Sequence, residues 1–81
     1  MQPLERKILE ELAKAKENRE TNINLNAIWR ECGSVDPQEF AHAWGALDAG
    51  ELVHGELFIG GAAIEGLGKI TGKGAESLKE P

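Results

Sequence analysis

Apolar residues recur along the chain with one period in its first half and another in its second. From residue 4 to about residue 17, Leu4, Ile8, Leu12 and Ala15 form a stripe at helical spacing with Leu9 beside it. That predicts a first helix, with Pro3 at its opening position. Arg6–Glu10, Lys7–Glu11 and Glu10–Lys14 stand four apart and are expected as ion pairs on its outer surface, each worth about 0.3 kcal/mol. A polar break covers residues 17–24, where Ile23 between two asparagines offers one strand position. Asn24 suits the N-cap of a second helix. Leu25, Ile28, Trp29 and Cys32 fall on one side of it, and Gly33 ends it.

The stretch 36–54, DPQEFAHAWGALDAGELVH, organises the rest. Asp36 is a helix cap, Pro37 fits the first helical position, and Glu39 is placed to complete a capping box. Phe40, Trp44 and Leu47 follow at spacings of four and three, so one face of this third helix is apolar. Gly50 is expected to stop it in a left-handed conformation. Extended pieces then flank Gly55, and a further one runs over residues 64–70. Either Gly55 is a bulge, or the hairpin turns at Gly60–Gly61 with residues 52–59 as one bent strand; the second fits better, because a single glycine is not a standard two-residue turn. Thr71 caps a last short helix over roughly residues 72–79, where Gly72 and Gly74 weaken it by about 1 kcal/mol each. Two short helices joined by a glycine turn, then a hairpin, predict an α+β winged helix-turn-helix in one domain, residues 1–81, of three helices, a small antiparallel wing and a short C-terminal helix.

Eighty-one residues bury a modest core. Its candidates are the stripes above together with Leu52, Val53, Leu57, Phe58, Ile59, Ile64, Leu67 and Ile70. Cys32 is alone, which removes disulfides and fits a reducing, cytoplasmic compartment. No apolar run reaches bilayer length, and MQPLERKILEEL mixes charged with apolar residues, unlike a secretory signal. Neither a membrane nor a small-molecule substrate is expected as a partner.

The run GELFIGGAAIEGLGKITGKGAESL resembles the wing and final helix of small YjcQ-like winged-helix proteins of bacterial and phage genomes. In those, a glycine pair precedes an I-x-G-L strand and an L-T-x-K-G helix start follows. The matching residues are Gly60, Gly61, Ile64, Gly66, Leu67, Ile70, Thr71, Lys73 and Gly74. The resemblance covers about residues 50–80; the first half agrees in element order. It implies a winged helix, no cofactor, no catalysis and a prophage-type origin.

Catalytic chemistry finds no foothold. His42 and His54 are the only histidines and lack Cys or His neighbours at metal-ligand spacing. No nucleophile elbow, phosphate loop or dinucleotide fingerprint occurs. The expectation is therefore a non-enzyme without metal or cofactor.

Two binding readings remain. In the leading one, a DNA-associated regulatory protein, the third helix enters the major groove of double-stranded DNA. Its outward residues are Gln38, His42, Gly45, Ala46 and Ala49. Gln38 would reach an adenine edge, His42 a base or phosphate, and Lys69 and Lys73 would flank the base of the wing. The charge is awkward for this reading. The formal charge is −5, and residues 33–68 hold no Lys or Arg but six acids: Asp36, Glu39, Asp48, Glu51, Glu56 and Glu65. Cations that displace phosphate counterions supply much of DNA affinity. The alternative is a protein-interaction or dimerisation module. There Ala41, Gly45 and Ala49 form a small-residue strip that lets a second copy, a partner helix or the wing come near.

Overall fold

The computed structural model describes residues 1–17 and 22–79. Its elements are α1 (Pro3–Glu17), β1 (Ile23–Asn24), α2 (Leu25–Glu31), α3 (Pro37–Ala49), β2 (Val53–Gly60), β3 (Ala63–Ile70) and α4 (Gly72–Ser77). Four helices and one antiparallel sheet of order β1-β3-β2 make an α+β architecture. Ile23 and Asn24 pair with Gly68 and Leu67, so the short strand expected at Ile23 becomes a third member of the sheet. Half of the polar break, residues 18–21, lies outside the described residues.

Local side-chain chemistry sets the helix starts. Asn24 accepts the Asn26 N–H at 2.9 Å, Asp36 the Gln38 N–H at 2.8 Å and Thr71 the Gly74 N–H at 3.0 Å. Each satisfies a donor that the first helical turn leaves open. The capping box does not form: Asp36 accepts from Gln38 at the second helical position rather than from Glu39 at the third, and among the described residues the exposed Glu39 carboxylate makes no bond back to Asp36. The α2–α3 turn is sealed twice. Gly33, at φ +88°, lets its own N–H donate to Arg30 O at 3.0 Å and that of Ser34 to Trp29 O at 3.1 Å. The Trp29 indole N–H then donates to Val35 O at 2.7 Å.

The end of α3 corrects the sequence reading. Gly50 has φ −84° and is not left-handed; Glu51 takes that conformation, at φ +62°. The helix runs to Ala49 with Gly50 as its cap, so the closing bonds fall one residue later. Glu51 N–H donates to Asp48 O and Leu52 N–H to Leu47 O, both at 2.9 Å. A side chain in this conformation costs about 1 kcal/mol.

The hairpin settles the register. Eight pairs run from Val53↔Ile70 to Gly60↔Ala63 without a break, so Gly55 is no bulge. The connection is the two residues Gly61–Ala62. Gly61 at φ +65° supplies the positive φ that such a turn needs at its first central position.

The core lies between the helices and one face of the sheet. It holds Ile8, Leu9 and Leu12 of α1, Leu25 and Ile28 of α2, Phe40, Trp44 and Leu47 of α3, and Ile23, Val53, Ile64 and Ile70 of the strands. Phe58, Ile59 and Leu67, also candidates from the sequence, are exposed instead. Alternation turns Phe58 and Leu67 to the face that no helix covers, whereas Ile59 shares the inward face with Ile64 and is left open next to the hairpin turn. Trp44 packs directly against the sheet at Gly68. A Cβ added to Gly68 would stand 2.6 Å from the Trp44 ring. Gly74 is the buried residue of α4, and a Cβ there would run into Leu52 O.

Two of the expected ion pairs on α1 are re-partnered. Lys7 reaches Glu11 at 3.3 Å as expected, but Lys14 turns to Glu11 at 3.0 Å rather than to Glu10. Arg6 leaves Glu10 and donates to Leu78 O at 3.3 Å, tying α1 to the end of α4. Glu11 is 8% exposed, not on the outer surface. Its burial raises the carboxyl pKa, but hydrogen bonds and charge from Lys14 and Lys7 outweigh that and lower it overall.

Replacing Gly68 by Ala forces the buried Trp44 ring or β3 to move. The expected loss is about 2 kcal/mol, read as a lower urea midpoint with an unchanged slope. Glu11→Gln should cost about 1 kcal/mol at neutral pH, after allowing for the solvated lysines. A lowered folded pKa means that this stabilisation is complete above the ordinary value of 4.5 and disappears as pH falls through the folded value. The two stability curves should therefore converge in acid; a gap that stays constant down to pH 2 would refute the assignment.

Candidate functional site

Strand alternation splits the hairpin into two faces. His54, Glu56 and Phe58 of β2 look outward, opposite Lys69, Leu67 and Glu65 of β3. Glu56 pairs with Leu67 and Phe58 with Glu65, so two large apolar groups and two carboxylates alternate in a square. Phe58 is 57% and Leu67 55% exposed. Both glutamates are exposed too. Side chains this large and this open, side by side, mark a surface fitted for contact. The sequence offers one signal for them: with β2 and β3 paired from the Gly61–Ala62 turn, period-two counting puts Phe58 and Leu67 together on the face away from Ile64 and Ile70.

The face of α3 singled out from the sequence is open. Gln38, His42, Gly45, Ala46 and Ala49 are all exposed and Ala41 is half-buried. Nothing lies within 4 Å of a Cβ added to Gly45, so the hairpin does not cover the Ala41–Gly45–Ala49 strip. Lys69 is exposed on the outward face of β3 and Lys73 is exposed in α4. Lys69 does not join Gln38: it shares a cleft with Asp48, at the other end of α3, ten residues and about 15 Å along the helix axis. All six acids of residues 33–68 are exposed, so α3 and the hairpin present negative charge to solvent.

That cleft, of about 890 Å³, lies at the end of the sheet. Ile23, Val53 and Ile70 contribute apolar walls; Lys16, Asp48, Glu51, His54 and Lys69 contribute mixed charge. Thr71 lines it as well, with its hydroxyl already donating to Glu51 O at 2.7 Å. Two lysines against two carboxylates give no net field for an anion. Among the described residues no group of three or more His, Cys, Asp or Glu is placed to hold a metal ion. None of their helices is long and apolar enough to cross a membrane.

No protein-family model, curated protein or solved structure matches the chain. Its functional reading therefore rests on its own residues.

Cys32 closes α2, half-buried against the core. Burial first, then the negative charge of Glu11, pushes its thiol up to about 11. The thiolate is the reactive species. At neutral pH native Cys32 should be alkylated by iodoacetamide about a hundredfold more slowly than free cysteine, and at the free rate in denaturant. Equal rates in both states would overturn the buried-thiol assignment.

Proposed function

We propose that this chain is a non-catalytic winged-helix binding module of the cytoplasm, which docks a partner protein through the outward face of the β2–β3 hairpin. The element order α1-β1-α2-α3-β2-β3, the glycine-sealed turn between α2 and α3, and the sheet order β1-β3-β2 support the winged-helix reading. So does the resemblance of the second half to YjcQ-like proteins.

The square of Phe58, Leu67, Glu56 and Glu65 carries the choice of partner. Exposed apolar side chains set among carboxylates fit a protein surface of aliphatic groups flanked by Lys or Arg. Double-stranded DNA is the usual ligand of the architecture, but fold alone does not fix function. A DNA reading through α3 needs cations where phosphates would lie. Here the exposed charges of α3 and the hairpin tip are carboxylates, and Lys69 stands beside Asp48, at the other end of α3 from Gln38.

An NMR titration separates the two partners. The probes are a nine-residue peptide alternating lysine with valine, its glutamate counterpart, and pooled duplex DNA at moderate salt. The lysine peptide should shift the resonances of Glu56, Phe58, Glu65 and Leu67. Phe58→Ser with Leu67→Ser, both at exposed positions, should weaken it at least about tenfold. The glutamate peptide and the DNA should leave the spectrum unchanged. Shifts centred on Gln38 and His42 with DNA, lost on Gln38→Ala and His42→Ala substitution, would replace this reading by the DNA one.

A further inference from the structure

β2 is an open edge. In the order β1-β3-β2 it has one neighbour among the described residues, and of its eight residues only Val53 is buried. Hydrogen-bonded pairs alternate along an antiparallel ladder, and a two-residue hairpin is closed by such a pair. Counting back from Gly60↔Ala63, residues 58, 56 and 54 bond to β3. The N–H and C=O groups of Gly55, Leu57 and Ile59 therefore point to the open side. Edges of this length are normally blunted by a proline, a lysine or a bulge. β2 has no proline and no lysine, and its register is unbroken.

We propose that the partner protein adds an extended segment of alternating basic and apolar residues as a fourth strand along β2. The inference rests on the docking reading above and supplies its geometry. On the outward face the basic residues of the new strand would meet Glu56, with Glu65 one strand further in, and their alkyl stems would lie along Phe58. On the other face it would cover half-buried Leu57 and Ile59, which is 38% exposed. Charge selects against a second copy as the occupant. Each chain carries a formal charge of −5, and antiparallel pairing of two β2 edges brings their Glu56 carboxylates close together. Main-chain bonds would supply affinity and the alternate side chains specificity, as in other strand additions.

The test uses the whole chain and the lysine–valine peptide, with two further copies N-methylated on the lysines or on the valines. Residues of one parity direct their N–H groups to one edge of a strand. Only one methylated peptide should therefore lose binding, by about tenfold or more, while the other keeps it. Amide exchange at Gly55, Leu57 and Ile59 should slow at least about tenfold in the complex. Full binding by both methylated peptides, with those amides unprotected, would overturn strand addition and leave docking on the Phe58–Leu67 face intact. Failure of every peptide to bind would overturn both. Protection of the same amides without peptide, with doubled mass in light scattering, would overturn the basic occupant in favour of a second copy.

Discussion

The Trp44 ring lies against Gly68, an inward position of β3 that has no side chain. A Cβ on Gly68 would meet Cη2 of that ring at 2.6 Å and Cζ2 at 3.0 Å. This contact sets how near α3 approaches the sheet at Gly68. Gly68 also pairs with Ile23 on one side and Gly55 on the other, so all three strands meet beneath the ring. Because strand faces alternate strictly, fixing Gly68 inward also fixes Ile64 and Ile70 inward. Glu65, Leu67 and Lys69 are thereby fixed outward. A one-residue slip would bury two charges and expose two isoleucines. The packing of one aromatic side chain thus decides which surface the hairpin offers to a partner.

Helix starts are legible in the sequence because their causes are local. Asp36, Asn24 and Thr71 each bond an N–H two or three residues away, and such chemistry needs no knowledge of the fold. The apolar side of α3 is legible for the same reason: Phe40, Trp44 and Leu47 are spaced by one helix. Sequence and structure part where a non-local partner decides the outcome. Arg6 is four residues from Glu10, yet Leu78 O, seventy-two positions away, takes its guanidinium. Gly50 is the expected left-handed residue because glycine tolerates that conformation best. The helix extends to Ala49, so Glu51 occupies it instead. For the candidate surface, spacing alone does not separate Phe58 and Leu67 from the core. Their exposure follows from which face of the sheet the helices cover.

Charge and shape bear on the proposed function in different ways. Shape alone favours α3 as a reading helix, since Gln38 and His42 are exposed on it. Electrostatics acts on the whole surface, and residues 33–68, which span α3 and all of the hairpin but its last two residues, carry six exposed carboxylates and no lysine or arginine. An exposed glutamine contributes at most a pair of hydrogen bonds to a base. A backbone contact without cations forgoes the counterion release that supplies most non-specific affinity. At this surface the second effect opposes every sequence of DNA alike.

The same carboxylates explain how a long bare edge is tolerated. An unprotected strand of eight residues with exposed Phe58 and Ile59 is a template for aggregation if nothing opposes self-pairing. Here the opposition is electrostatic and lies beside the edge rather than in it: Glu56 within β2, Glu65 on the neighbouring strand, and a formal charge of −5 on the chain. Proline or a bulge would have blocked every strand equally. Negative charge instead blocks acidic strands, this chain's own β2 among them, and leaves a basic one admissible. An edge defended by charge is selective where an edge defended by geometry is closed.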